Sequence, residues 1–72
     1  MTTATPKLTV SEIEVGKGWM VHDVDGTALF EIWKRDLGLL FATHYPGQKE
    51  PIYAGFKTFS DALDITLKAM DR

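Results

Sequence analysis

The sequence contains no cysteine, which excludes disulfide bonds and thiolate metal sites. It has no apolar run near the ~20 residues that a membrane-spanning helix needs. Residues 1–6 lack the charged and then apolar pattern of a secretory signal. We therefore expect a cytoplasmic protein without a membrane segment.

The sequence also lacks motifs that are typical of enzymes. The chain has no glycine-rich phosphate loop, no GxSxG motif and no HExxH motif. Ser11 and Ser60 have no histidine near them in the sequence, so nucleophilic catalysis lacks support. We predict that the protein is not an enzyme and that it takes no cofactor.

The 72 residues, 44% hydrophobic and 25% charged, have the composition of one globular domain. A domain of this size buries only about 60% of its unfolded surface, which leaves little material for a deep active-site cavity. We therefore expect a function at the surface or at a dimer interface. Eight basic residues stand among ten acidic ones without forming a block, which argues against non-specific nucleic-acid binding.

The order of local signals predicts an α+β fold, a three- to four-stranded antiparallel β-meander packed on one C-terminal α-helix. Residues 1–7 are expected to form a flexible tail, and residues 8–72 a single β-β-β-α domain. Alternating patterns at residues 8–10 and 13–15 favour an N-terminal strand that is broken near Ser11. The pattern leaves open whether this strand forms.

Three β-rich runs predict the meander itself. These runs are residues 19–24, 27–34 and 39–45. Between the first two stands the pair Asp25-Gly26, which favours a two-residue type I′ turn. A polar loop between two prolines then leads to residues 52–56, which are expected to add a short extended piece before the helix.

The helix is predicted to begin after Thr58, with Asp61 near its positive end, and Ser60 is an alternative cap. Its apolar side chains recur at helical spacing and should face the sheet. They are Phe59, Ala62, Leu63, Thr66, Leu67 and Met70.

The turns decide which side chains share a face of the sheet, because neighbours along a strand point to opposite sides. With a two-residue turn, His22 lies opposite Leu29. The helix-facing side is then expected to carry Trp19, Val21, Ala28, Phe30 and Ile32. An even second loop adds Phe41, Thr43 and Tyr45 to that side. A three-residue loop adds Leu40, Ala42 and His44 instead. We favour the even loop because it gives the more apolar core.

The other side of the sheet, the open face, has no predicted layer to cover it. Methionine and aromatic side chains ringed by charge are typical of partner-binding surfaces. The predicted contact residues are Met20, His22, Leu29, Glu31, Trp33 and His44. We expect the partner to be another protein or a second copy of this chain, which would form a homodimer.

Three residues of the open face also suggest metal ligands. His22, Glu31 and His44 are predicted on neighbouring strands, about 4.8 Å apart. Two imidazoles and a carboxylate form some zinc and iron sites. However, two histidines are an unremarkable number, and no group that would orient them is evident. We therefore assign no metal site.

Residues 55–62 read GFKTFSDA and follow the order strand, Asp-Gly turn, strand, strand. Over about residues 18–70 this arrangement resembles the small β-β-β-α arm-binding domains of phage and transposon integrases. The matching residues are Trp19, Gly26, Gly55, Phe56, Thr58 and Ala62. The resemblance implies a sheet that lies in the DNA major groove and presents basic residues. In this chain Met20, Leu29 and Glu31 occupy the open face, and the pI is about 5.5.

We therefore expect a small non-enzymatic protein-binding module, a regulator or inhibitor of host machinery of the kind that phages and mobile elements carry. The alternative is a DNA-binding domain that uses its antiparallel sheet, although the net charge of −2 disfavours it. In that alternative the phosphates are contacted by Lys17, Lys34, Arg35, Lys49 and Lys57.

Overall fold

The computed structural model describes residues 8–71, and the tail expected at residues 1–7 lies outside them. The strands are β1 Thr9–Glu14, β2 Gly18–His22, β3 Ala28–Arg35, β4 Leu40–His44 and β5 Tyr53–Phe56, and the helix α1 is Phe59–Ala69. Each strand pairs with the next one along the chain in a single antiparallel sheet. The α+β class is confirmed, but the described chain has five strands where three or four are predicted.

The outer strands β1 and β5 account for this difference. β1 is unbroken at Ser11, and its pairing with β2 becomes irregular only between Glu12 and Glu14. The pairing of β5 with β4 changes register at Gly55, which has no partner on β4. Its φ of +85° is a conformation that glycine adopts without strain. All six residues of β1 and three of the four in β5 are exposed, as expected of strands with one free edge.

Asp23 and Thr27 close the hairpin between β2 and β3, so its loop has three residues, 24–26, instead of the two expected. Asp23 N donates to Thr27 O at 2.7 Å, and Gly26 N donates to Asp23 O at 2.9 Å. Gly26 has a φ of +89°. A type I turn followed by a left-handed glycine is the common three-residue hairpin loop, so the Asp-Gly pair marks a turn of a different type from the predicted one.

A bulge at Leu29 restores the predicted register in the rest of this hairpin. His22 pairs with Ala28, whereas Val21 pairs with Phe30, so Leu29 has no partner on β2. A bulge changes the direction of nearby side chains. Leu29 is only 8% exposed and belongs to the core, while Ala28 is exposed. The expectations that Leu29 is uncovered and that Ala28 faces the helix are therefore wrong.

The second connection has an even number of residues, as favoured from the sequence. Arg35 pairs with Leu40, so four residues link β3 to β4. Phe41 and Thr43 consequently lie on the helix-facing side, and the three-residue alternative is wrong. Tyr45 follows the end of β4 and is 55% exposed, so it does not extend the core.

Helix α1 covers one side of the sheet over β3, β4 and β5. Its cap is confirmed, because the Thr58 hydroxyl accepts a hydrogen bond from Asp61 N at 3.0 Å. The predicted stripe is also confirmed, with Ala62 and Thr66 fully buried and the other members partly buried. The fully buried sheet residues on this side are Val21, Phe30, Ile32 and Thr43. Within residues 8–71 no helix has the length and apolar character needed to cross a membrane.

An aromatic cluster joins the sheet to the first turn of the helix. The Trp19 ring centre lies 5.2 Å from that of Phe59 and 6.2 Å from that of Phe41, and the two phenyl rings are 6.0 Å apart. These tilted and edge-on contacts are the arrangements that aromatic pairs prefer. They anchor the helix N-terminus above β2 and β4.

A buried pair of hydroxyl groups links the middle of the helix to the sheet. Thr66 Oγ1 donates to Thr43 Oγ1 at 3.1 Å, and both residues are fully buried. A buried hydroxyl that loses its partner destabilises a fold, so this contact specifies how the helix lies on β4.

We expect Thr66→Val to lower the free energy of unfolding by about 1–3 kcal/mol, because Thr43 would keep a buried hydroxyl without this partner. Urea denaturation measures the change. The double variant T43V/T66V should lose less than the sum of the two single variants, since neither hydroxyl is then left alone. Strictly additive losses would contradict this coupling.

Candidate functional site

Glu31 ties the loop after β4 to the open face of the sheet. It lies on the central strand β3 and is half-buried. Its Oε1 accepts a hydrogen bond from Trp33 Nε1 at 2.7 Å, and its Oε2 accepts one from Gly47 N at 3.0 Å. Hydrogen bonds to a carboxylate are among the stronger ones in proteins. Part of the open face is thus covered by a loop of the same chain.

The indole of Trp33 lies over Gly18 on the neighbouring strand. The two residues pair across β2 and β3, and a Cβ at Gly18 would stand 2.5–2.6 Å from three carbons of the indole ring. Only glycine leaves this space, and an aromatic ring above a cross-strand glycine supplies the packing that glycine lacks. With Nε1 bonded to Glu31, the indole is held at two points.

His44 lies beside this pair, opposite Glu31 in the ladder between β3 and β4. It is only 3% exposed, and neither ring nitrogen has a hydrogen-bond partner among the described residues. A buried polar atom without a partner costs about 1–3 kcal/mol, so the burial of this imidazole opposes folding. The expectation that His44 is exposed on the open face is wrong, because the β4–β5 loop was not expected to lie there.

Two cavities adjoin at the end of β3. The first, which we call the tryptophan cavity, has a volume of about 420 Å³ and is lined by Glu31, Trp33, His44, Gly47, Gln48 and Lys49. The second, the glycine cavity, has a volume of about 450 Å³ and is lined by Gly16, Lys17, Leu37 and Gly38. Lys34 and Arg35 line both cavities, and the Lys34 ammonium lies over the Trp19 ring on the helix-facing side, 6.0 Å from its centre.

Positive charge is concentrated around these cavities. The basic lining residues are Lys17, Lys34, Arg35 and Lys49, against one carboxylate in the lining, that of Glu31. Half of the eight Lys and Arg residues therefore line these two cavities, in a protein whose net charge is −2. The Lys17 ammonium lies 3.9 Å from the Glu14 carboxylate, but both side chains are exposed, so this pair neutralises little.

The structure brings together three of the six predicted partner contacts, because Glu31, Trp33 and His44 all line the tryptophan cavity. The other three line neither cavity and are half-buried or buried. They are Met20, His22 and Leu29. The open face is therefore less exposed than expected, and the binding of a protein partner there stays a prediction.

Four of the five basic residues in the DNA-binding alternative line the two cavities. Lys57, which is exposed between β5 and α1, lines neither. The four stand apart in the sequence, at positions 17, 34, 35 and 49, and the pairing of the strands gathers them. The structure therefore brings four of these five cations to the two cavities.

The histidines of the open face do not form a metal site with Glu31. In the part of the chain that the structure describes, no group of three or more His, Cys, Asp or Glu side chains is placed to hold an ion. Both oxygens of the Glu31 carboxylate also accept hydrogen bonds already.

Two features of the site were not expected from the sequence. Gly18 begins β2 and lies under Trp33. The predicted hairpin register already places Gly18 opposite Trp33, so this contact had a sequence signal. The contact of Gly47 with Glu31, sixteen residues away, had none, because it depends on how an irregular loop folds.

We expect Gly18→Ala to displace the Trp33 ring and to lower the free energy of unfolding by about 1–3 kcal/mol through overpacking. Urea denaturation measures the stability. Fluorescence emission in a Trp19→Phe background, where Trp33 is the remaining tryptophan, reports the ring. Ser11→Ala on the exposed strand β1 is the control and should change stability by less than about 0.5 kcal/mol. A Gly18→Ala protein with unchanged stability and emission would show that the contact is not close.

No protein-family model, no curated protein and no solved structure matches this chain. The resemblance to integrase arm-binding domains therefore stays a prediction. The candidate site is defined by its geometry: a fixed indole and four cations around two adjoining cavities.

Proposed function

We propose that this protein is a non-enzymatic nucleic-acid-binding domain whose contact surface is the basic end of the sheet. The observation that carries the proposal is the meeting of Lys17, Lys34, Arg35 and Lys49 around two adjoining cavities. Cations that displace counterions from phosphates supply most of the affinity in such complexes.

The local charge supports this proposal against the acidity of the whole chain. The lining side chains carry four positive charges and one negative charge, which leaves a local charge of +3 by that count. Exposed charges further away than about 10 Å are screened at 0.1 M salt, so an approaching polyanion is affected mainly by the nearby cations. The net charge of −2 therefore weakens the binding without excluding it.

The distribution of the cations favours an extended polyanion over a single small anion. Lys17 lines the glycine cavity, Lys49 lines the tryptophan cavity, and Lys34 and Arg35 line both. A phosphodiester backbone can contact all of these in turn. A lone anion in one cavity would leave at least one cation without a partner.

The competing hypothesis of a protein-binding regulator or inhibitor stays a prediction. Its proposed surface is reduced by the burial of Leu29 and His44. Met20, His22 and Trp33 are its half-buried contact residues.

We expect the wild-type protein to bind a short fluorescent oligodeoxynucleotide at low salt and to lose affinity as salt is raised, as measured by fluorescence anisotropy. In the variant K34Q/R35Q the affinity should fall because two phosphate-binding cations are removed. The slope of log K against log salt should decrease by about 1 for each phosphate that the variant no longer neutralises.

The matched control is K57Q/K68Q, which removes two exposed cations that line neither cavity. It changes the net charge by the same amount and should leave the affinity and the slope close to wild type. An equal reduction of affinity in both variants, or no salt-sensitive binding by the wild type, would reject the proposed surface.

A further inference from the structure

The Trp33 indole is preorganised at the wall of the tryptophan cavity. Gly18 lies under the ring, and Nε1 donates to Glu31 at 2.7 Å. These contacts fix the ring from below and along one edge, and Trp33 also lines the cavity. A ring that is already fixed loses little conformational freedom when a planar group stacks on it.

We propose that the tryptophan cavity holds one unstacked nucleobase against the Trp33 indole, while Arg35 and Lys49 contact the adjoining phosphates. This inference rests on the proposed function and narrows it to single-stranded nucleic acid. A basic groove combined with an aromatic stacking surface is the arrangement that single strands require.

The size of the cavity and one polar side chain in its lining agree with such a ligand. Its volume of about 420 Å³ lies in the range of pockets that hold small organic ligands. Gln48 lines it and carries an amide that can both donate and accept hydrogen bonds to a base edge. The nitrogens of His44 are enclosed and do not reach the cavity, so Trp33 and Gln48 are the proposed contacts of the base.

A duplex does not offer this contact, because its bases are stacked on one another and reach a pocket only when extruded from the helix. An acidic peptide would satisfy the cations, but its carboxylates bring no planar group to the indole. The fixed aromatic ring is therefore the observation that favours a single strand over both.

The experiment compares four probes of equal length on the wild-type protein at low salt. These are an oligothymidylate, an abasic deoxyribose phosphate strand, a duplex and an oligoglutamate. Oligothymidylate is expected to bind at least about tenfold more tightly than the abasic strand, because base stacking on an aromatic side chain contributes roughly this much or more. It should also quench the fluorescence of Trp33 in the Trp19→Phe background.

Trp33→Leu should remove the advantage of the base-bearing strand and leave the abasic strand bound as before. Tyr53→Leu is the control, since Tyr53 is a partly exposed aromatic residue that lines neither cavity. This variant should still bind the base-bearing strand more tightly than the abasic strand. The comparison of probes uses the wild-type chain, so the test holds even where Trp33→Leu fails to fold.

Equal, salt-sensitive binding of the base-bearing and abasic strands would overturn the base pocket and leave the proposed function standing. Tighter binding of the duplex would also overturn the pocket, since the site would then favour paired bases. Oligoglutamate bound as tightly as oligothymidylate would overturn it in favour of an acidic peptide. If none of the four probes binds, both the proposed function and the base pocket are rejected.

Discussion

The alternation of side chains along β3 is the constraint on which the rest of the structure depends. Phe30 and Ile32 point into the core beneath α1, and Glu31 and Trp33 between and after them belong to the opposite face. A shift of one residue would exchange these two sets. The bulge at Leu29 prevents this exchange, because it absorbs the extra residue of the three-residue loop before the pairing reaches Phe30.

The two faces of the sheet are closed by different means. Helix α1 covers one face with an apolar stripe and with the buried contact between Thr66 and Thr43. No second α-helix covers the other face in residues 8–71, where Glu31 holds a loop through Gly47. The half-closed face keeps a fixed indole and two cavities, which a fully covered face would not leave accessible. The candidate site is therefore a product of the uneven covering of one sheet.

The parts of the fold that follow from local signals were predictable. The helix stripe and the Thr58 cap depend on residues three and four positions apart, and the pairing of Trp19 with Ile32 follows from alternation near one turn. The strand β5 was harder to predict, because its short sequence contains a glycine and its pairing depends on a loop. The bulge at Leu29 depends on the loop type, which the Asp-Gly pair alone does not decide.

The residues of the candidate site were predictable from the sequence, but their proximity in the fold was not. Trp33, Glu31 and the four cations of the cavities were all candidates, but they stood in two competing hypotheses. Their meeting depends on the strand order and on the loop that carries Lys49, both of which are long-range features. The burial of His44 also accompanies a loop contact, because Gly47 donates to Glu31, which lies opposite His44 in the ladder.

The irregular pairing of both outer strands has a consequence for the behaviour of the protein at high concentration. A regular, exposed strand edge is a template for further chains and leads towards amyloid-like stacking. Here the ladder of β1 is interrupted between Glu12 and Glu14, and that of β5 at Gly55. Each edge therefore offers only a few residues in regular extension, and carboxylates stand on one of them. The regular template for pairing with another chain is therefore short at both free edges of the sheet.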